Sequence, residues 1–131
     1  GQGACWGWNA SGQLGDGTRL DRTTPVLVSE LFDAKEIAAG RYHTCIVRGT
    51  GETMCWGSNA SGCLGDGTTE LRTIPTTVLG LEKAVQIQIG ELFSCARHEL
   101  GYISCWGAND AGQLGDGSTI DRPLPGTVTG L

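Results

Sequence analysis

One glycine-rich stretch occurs three times in this chain and constrains its fold more than any other feature. The complete copy reads Cys-Trp-Gly-Ser-Asn-Ala-Ser-Gly-Cys-Leu-Gly-Asp-Gly-Thr from Cys55. Closely similar copies begin at Cys5 and Cys105, so the stretch recurs every 50 residues without insertion or deletion. A fixed period of this size is typical of proteins that stack similar units, because one unit does not bury its apolar face alone.

The repeat divides the chain into three segments of one continuous array. We expect a partial first repeat over residues 1–35, the second half of a unit, then a complete unit over 36–83 and a third over 84–131. Neither terminal segment has the atypical sequence of a capping unit. We therefore expect the chain to be part of a longer array, or to complete itself by association with other chains.

Each unit is predicted to contain four short strands separated by turn residues, with no sustained helical period. In the complete unit the predicted strands are Glu36–Gly40, Thr44–Arg48, Glu52–Trp56 and Thr76–Leu79, and the third unit repeats the plan with Ala84–Ile89, Ser94–His98 and Tyr102–Trp106. About 50 residues with four strands is the size of one propeller blade. The predicted fold is all-β, a partial β-propeller of about two and a half four-stranded blades.

Two sequence patterns resemble a known family. The segment Ile-Ala-Ala-Gly-Arg-Tyr-His-Thr-Cys at 37–45 and the repeated Trp-Gly-x-Asn-x-x-Gly-x-Leu-Gly resemble the repeats of the regulator of chromosome condensation family. The resemblance covers essentially the whole chain and implies a seven-bladed propeller, which takes about 350 residues at this period. It also implies functions found among relatives: nucleotide exchange on small GTPases, or inhibition of β-lactamases. Phe93 departs from the pattern by standing where the preceding repeat has His43.

Four cysteines form two pairs with the same spacing, Cys45 with Cys55 and Cys95 with Cys105. Each pair lies symmetrically about a three-residue hairpin loop ending in glycine, the position that such loops reserve for a left-handed residue. Directly opposed cysteines on antiparallel strands are close enough to bond, so we predict two disulfides. The alternatives are reduced core cysteines, or a zinc site for which the spacing is unsuitable.

The disulfides would place the chain in an oxidising compartment: secreted, periplasmic or at the cell surface. The paired cysteines most resemble the bacterial, secreted branch of the family. Cys5 aligns with Cys55 but lacks a partner ten residues upstream, and Cys63 aligns with glutamines. These two cysteines could pair with each other, pair with another chain or stay free.

The sequence offers no catalytic or cofactor-binding pattern. Asp16, Asp66 and Asp116 each follow a glycine in one turn per repeat, a spacing that fits neither an EF-hand nor a phosphate loop. We expect them to bond nearby amides within tight turns. Asn9 and Asn59 match the glycosylation acceptor pattern, which we interpret as a coincidence within the same turn. We expect no enzyme activity, no cofactor and no metal.

Charge and hydropathy exclude two classes of partner. The net charge of −5 argues against a broad nucleic-acid interface, which needs clustered Lys and Arg. No apolar run reaches the roughly 18 residues that cross a bilayer. Protein partners remain, together with the rest of a longer propeller or further copies of this chain.

Comparison of the copies separates structural positions from variable ones. Trp6, Trp56 and Trp106 are identical in register, so we expect them in the core between blades. The variable positions gather at the loops of one propeller face, where aromatic and Arg side chains have the composition of protein-binding hot spots. We predict a partner-binding face of Trp8, Arg41, Tyr42, Glu91, Leu92 and Phe93. The alternatives are unselected loop variation, an assembly subunit with blades that pair between chains, or an inhibitor of a secreted enzyme.

Overall fold

The computed structural model describes residues 1–131 and contains ten β-strands and no helix. The first repeat supplies two strands and each later repeat supplies four. The strands are β1 (Ala4–Gly7), β2 (Arg22–Leu27), β3 (Ala34–Ala39), β4 (His43–Arg48), β5 (Thr53–Gly57), β6 (Arg72–Thr77), β7 (Ala84–Ile89), β8 (Phe93–His98), β9 (Ile103–Gly107) and β10 (Arg122–Thr127).

The strands form three antiparallel sheets, each made of consecutive strands. One sheet has only two strands, β1 and β2, whereas the other two have the orders β3-β4-β5-β6 and β7-β8-β9-β10. The chain is therefore a partial β-propeller with a half blade followed by two full blades. We call these the half blade, the second blade and the third blade.

The outer strand of the second blade differs from its prediction. It was expected at Thr76–Leu79, but the structure places β6 at Arg72–Thr77. Pro75 is tolerated within β6 because this strand forms the outer edge of the sheet, where a missing N–H faces away from the ladder. Val78 leaves the strand and is buried in the core. The apolar Val78 suggested a strand position in the sequence, but its side chain is buried just after the strand ends, so the strand was predicted too far along the chain.

Both inner hairpins have the predicted register. Cys45 lies opposite Cys55, and Cys95 lies opposite Cys105. The three-residue loops end at Gly51 and Gly101, whose φ angles are 86° and 93°. Symmetry about the loop thus fixed the pairing of every residue in these two hairpins.

Two apolar clusters fill the spaces between sheets. The larger contains Cys45, Cys55, Leu64, Ile87 and Trp106 and joins the second and third blades. The smaller contains Val28, Leu31, Ile46 and Trp56 and joins the half blade to the second blade. Each sheet is thus stabilised by its neighbour in sequence, as in other repeat proteins.

Trp6, which the sequence comparison placed in an inter-blade core, does not share this environment within residues 1–131. Its side chain is 63% exposed, whereas Trp56 and Trp106 are fully buried. The reason is positional: in this structure no sheet lies against the face of β1 that carries Trp6. The chain also contains no helix of the length and hydrophobicity needed to cross a membrane.

Candidate functional site

The long connection between the third and fourth strand of each blade is organised by one asparagine. In the second blade, Asn59 Nδ2 donates to Asp66 Oδ1 (3.1 Å), to the Thr68 carbonyl (3.0 Å) and to the Glu70 carbonyl (3.1 Å). Its Oδ1 accepts the amide of Leu64 at 3.0 Å. Both ends of the side chain are therefore used, and four points of the loop are held around one buried group.

An aspartate and an arginine complete this arrangement. Asp66 Oδ1 accepts the amide and the hydroxyl of Thr68, and Asp66 Oδ2 pairs with Arg72 Nε at 2.9 Å. The same bonds recur in the other repeats through the sets Asn9, Asp16, Thr18, Arg22 and Asn109, Asp116, Ser118, Arg122. We call each set an Asn-Asp-Arg clasp. The loops that carry the variable residues are thereby fixed in shape.

The clasp determines the ionisation of its aspartates. Burial opposes the charged form of Asp16 and Asp66, but bonds from the Thr hydroxyl, the Thr amide and the arginine together lower both pKa values. The amide and hydroxyl of Ser118 lower the pKa of Asp116 to about 2. The carboxylates are thus occupied by hydrogen bonds and an ion pair within their own loops. Nowhere does the structure bring three metal-ligating side chains together.

The clasp also determines whether the asparagines of the glycosylation motif are accessible. Asn9 is fully buried, Asn59 is 1% exposed, and the Nδ2 atom of each donates to several loop acceptors. A glycan attached to that nitrogen would remove these bonds. The folded chain therefore does not present Asn9 or Asn59 as acceptors.

A second recurring arrangement joins adjacent blades through a backbone carbonyl. The Gln13 carbonyl accepts Trp56 Nε1 at 2.9 Å and Thr44 Oγ1 at 2.8 Å, both from the following blade. One repeat later, the Cys63 carbonyl accepts Trp106 Nε1 and Ser94 Oγ, each at 2.9 Å. We call this pair of bonds the carbonyl latch. It orients each buried tryptophan against the preceding loop.

The second latch is extended by a histidine. His43 Nε2 lies 2.9 Å from Ser94 Oγ, and because that hydroxyl donates to the Cys63 carbonyl, the imidazole must donate to it. His43 is fully buried, and its Nδ1 atom has no partner. Burial lowers the pKa of His43 to about 4. The Ser–His contact is closed to solvent and holds two blades together, which makes it structural.

The structure contains both predicted disulfides. Cys45 is bonded to Cys55 and Cys95 to Cys105, with Cα atoms 4.1 Å apart in each pair. These bonds are compatible with an oxidising environment. Cys5 and Cys63 are free. Burial raises the pKa of Cys63 to about 12, and its Sγ donates to the Ser58 carbonyl at 3.1 Å, so this thiol is an inert part of the core.

The predicted partner-binding residues are divided between two blade junctions. At the first, the Trp8 and Tyr42 rings meet edge to face with centroids 6.1 Å apart, and the Arg41 guanidinium lies 5.1 Å from the Tyr42 centroid. Gln13 Nε2 donates to the Arg41 carbonyl at 2.8 Å, which fixes the loop from below. We call Trp8, Arg41 and Tyr42 the aromatic cluster. Trp8 is 47% exposed, so the cluster presents a large apolar side chain to solvent.

The equivalent loop of the third blade carries Glu91, Leu92 and Phe93. Glu91 is exposed and Leu92 is half-buried, while the Phe93 ring lies over Gly90 so tightly that a Cβ there would overlap it. Phe93 therefore turns back onto its own loop. The structure places these residues at the same end of the molecule as the aromatic cluster, because the connections from first to second and third to fourth strand share that end.

Sequence reasoning found the aspartates of the clasp and the tryptophans of the latch, but it missed the other residues that build them. The positions of Asn59 and Arg72 carry the same residue types in all three repeats. This identity was the one sequence signal that could have pointed to the clasp. The residue that accepts the latch bonds could not be recognised from the sequence, because its backbone carbonyl accepts them whatever its side chain is. Gln13 and Cys63 accept the same bonds despite their different side chains.

Comparison with known proteins gives a consistent result. The profile of the Regulator of chromosome condensation (RCC1) repeat matches residues 5–47, 50–97 and 101–131, and a second profile of the same description matches residues 34–63. No curated protein sequence matched.

Solved structures with the same fold include human WBSCR16, with a TM-score of 0.86 and 22% identity over 97% of this chain and 33% of that one. They also include Prp20p of Saccharomyces cerevisiae, studied for its binding to Gsp1p and histones, with a TM-score of 0.82 and 21% identity over 98% and 34%. Yeast RCC1 (Prp20) bound to Kap60 gives a TM-score of 0.84 and 22% identity over 98% and 33%.

The chain spans about a third of the length of these structures. The likeness to them shows the fold, and the profile matches cover nearly all of the sequence. The chain belongs to the Regulator of chromosome condensation (RCC1) repeat family.

Proposed function

We propose that the chain is a non-enzymatic recognition scaffold that binds a protein partner through the loops of one propeller face, centred on the aromatic cluster. One observation carries the proposal: the Tyr42 ring contacts Trp8 across the junction of the half blade and the second blade, and the Arg41 guanidinium lies over the same ring. Trp, Tyr and Arg are the residues most enriched at interface positions that dominate binding energy.

Rigidity supports this assignment. A partner gains most from side chains that are already ordered, because little conformational entropy is then lost on binding. The clasps fix the long loops, and the Gln13–Arg41 bond fixes the loop that carries Tyr42. The aromatic cluster is thus presented by an ordered surface and not by mobile loops.

The chemistry of the partner follows from the surface and the compartment. The chain has a net charge of −5, so a neutral or basic protein surface fits it better than an acidic one. With two disulfides, we place the interaction outside the reducing cytosol, at a secreted, periplasmic or cell-surface location. This setting suits an inhibitor of a secreted enzyme better than an exchange factor for a small GTPase in the reducing cytosol.

The proposal is tested by comparing two variants of the folded chain. The first carries Trp8→Ala, Arg41→Ala and Tyr42→Ala, which removes the aromatic cluster. The matched control carries Glu99→Ala and Leu100→Ala at the hairpin turn of the opposite face, where Leu100 is 86% exposed. Each is immobilised beside the unchanged chain and exposed to the extracellular proteins of the source, and bound proteins are quantified by mass spectrometry.

We expect at least one protein that binds the unchanged chain and the control equally and binds the cluster variant at least about tenfold less. Circular dichroism and disulfide mapping establish that all three chains are folded. Equal retention of every bound protein by the cluster variant would refute the assignment of this face.

A further inference from the structure

The loops that join the first and second strands of the two full blades make the same backbone hydrogen bonds. We call residues 41–43 the second-blade loop and residues 91–93 the third-blade loop. The amides of Ser58 and Ala108 donate to the carbonyl of the middle residue of these loops, at 2.8 and 2.9 Å respectively. Each loop also accepts a bond from the amide of the glycine that precedes it. The two loops differ in the side chains that hold them.

One side-chain bond ties the second-blade loop to the preceding blade. Gln13 belongs to the half blade and is buried, and its Nε2 atom donates to the Arg41 carbonyl at 2.8 Å. The other end of this amide, Oε1, accepts the Ser11 amide at 3.0 Å. Both ends of the buried group are therefore used, so the second-blade loop is held by a side chain that is itself fixed.

The third-blade loop lacks this tie, because a cysteine stands at the position equivalent to Gln13. Cys63 Sγ donates to the Ser58 carbonyl, within its own blade, at 3.1 Å. The Glu91 carbonyl, which is equivalent to that of Arg41, accepts no hydrogen bond from a side chain. The third-blade loop thus keeps its backbone bonds but has no hydrogen-bonded side chain of the preceding blade beneath it.

Ring packing differs in the same direction. Tyr42 of the second-blade loop meets Trp8 of the half blade, with ring centroids 6.1 Å apart. The equivalent residues at the next junction are Leu92 and Ser58, which form no ring pair. Two contacts that hold the second-blade loop are therefore missing from the third-blade loop, and both would come from the second blade.

We propose that the residue at position 13 or 63 sets the mobility of the loop in the following blade. The surface that carries the aromatic cluster then combines a fixed second-blade loop with an adjustable third-blade loop. A fixed loop loses little conformational entropy on binding, whereas an adjustable loop adapts to the shape of what it meets. The use of the adjustable loop in partner binding rests on the proposed function, but the difference in mobility does not.

The test moves the glutamine amide and follows two backbone amides. Gln13→Ala removes the tie to the second-blade loop, and Cys63→Gln places the same amide beneath the third-blade loop. The matched control is Gln113→Ala, since Gln113 Nε2 donates to Asp110 Oδ1 within its own blade. Hydrogen–deuterium exchange of the Ser58 and Ala108 amides is measured by NMR in all four chains. Each comparison follows one amide in two chains, so the other neighbours of the loop stay the same.

We expect Gln13→Ala to lower the protection of the Ser58 amide about fivefold, the factor that corresponds to one hydrogen bond. Cys63→Gln should raise the protection of the Ala108 amide about fivefold, and Gln113→Ala should change neither. Slow exchange of the Trp56 and Trp106 indole protons establishes that each chain is folded.

Unchanged protection of Ala108 in a folded Cys63→Gln chain, or of Ser58 in the Gln13→Ala chain, would overturn the proposal. If Cys63→Gln prevents folding, the Gln13→Ala comparison decides alone. No partner enters this experiment, so its failure is distinct from a failure of the proposed function.

Discussion

Deleting the hydroxyl of Ser94 should destabilise the protein more than deleting the equivalent hydroxyl of Thr44. Ser94 Oγ donates to the Cys63 carbonyl and accepts from His43 Nε2 within a fully buried site. Ser94→Ala removes the first bond and leaves the imidazole N–H buried without an acceptor. A lost hydrogen bond costs about 1 kcal/mol and an orphaned buried donor about 1–3 kcal/mol, so we expect a loss of about 3 kcal/mol in the free energy of unfolding.

The matched variant is Thr44→Val. Thr44 donates to the Gln13 carbonyl in the same way, but no imidazole lies behind it. We expect this change to cost about 1 kcal/mol. The carbonyls of Gln13 and Cys63 keep their tryptophan donors in both variants. The difference of about 2 kcal/mol between the variants therefore measures the cost of leaving the His43 N–H without an acceptor.

A double-mutant cycle isolates that coupling. His43→Phe is a suitable partner change, because the chain itself has Phe93 at the equivalent position. In the His43→Phe background, Ser94→Ala should cost only about 1 kcal/mol. Urea unfolding followed by tryptophan fluorescence gives the four free energies. Equal costs for Ser94→Ala and Thr44→Val, or a coupling below about 0.5 kcal/mol, would refute the hydrogen-bond assignment.

Three further predictions concern pH, packing and the clasp. Since His43 has a pKa of about 4 in the folded chain against 6.5 when free, only the unfolded state gains this proton as pH falls between these values, and stability should drop by about 3 kcal/mol. That part of the decline should be missing from a pH titration of His43→Phe. Gly65→Ala should cost about 3 kcal/mol in urea unfolding, because Gly65 has a φ of 71° and a Cβ would lie 2.8 Å from Trp106 Nε1. Gly117→Ala, with a φ of 81° and no atom within 4 Å, should cost only about 1 kcal/mol, and equal costs would contradict the packing argument. Asp66→Asn should cost about 1 kcal/mol through its partly exposed arginine partner, whereas an unchanged urea midpoint would show that the clasp adds nothing to stability.

The repeat period made much of this fold predictable. The register of each inner hairpin was found, because symmetry about a three-residue loop leaves only one pairing. The pairs Cys45–Cys55 and Cys95–Cys105 are examples. The outer strand of the second blade was predicted too far along the chain. Val78 is buried after the strand ends, and its hydrophobicity suggested that it belonged to the strand.

The remaining features depend on what surrounds each copy or on backbone atoms. Trp6 is identical in type to Trp56, yet it is exposed because no sheet lies against it. The carbonyl latch uses the backbone of Gln13 and Cys63, which the side-chain sequence does not reveal. The Asn59 clasp was overlooked because a polar residue in a glycine-rich loop suggests an ordinary turn.

The most direct test of the account is the exchange of the four tryptophan indole protons with deuterium, followed by NMR. The central claim is that adjacent sheets are held together by tryptophans whose Nε1 atoms donate to the preceding loop. The indole protons of Trp56 and Trp106 should therefore be strongly protected, and those of Trp6 and Trp8 should exchange at nearly the rate of free indole. Similar exchange of all four, or protection of Trp6 equal to that of Trp56, would contradict the claim.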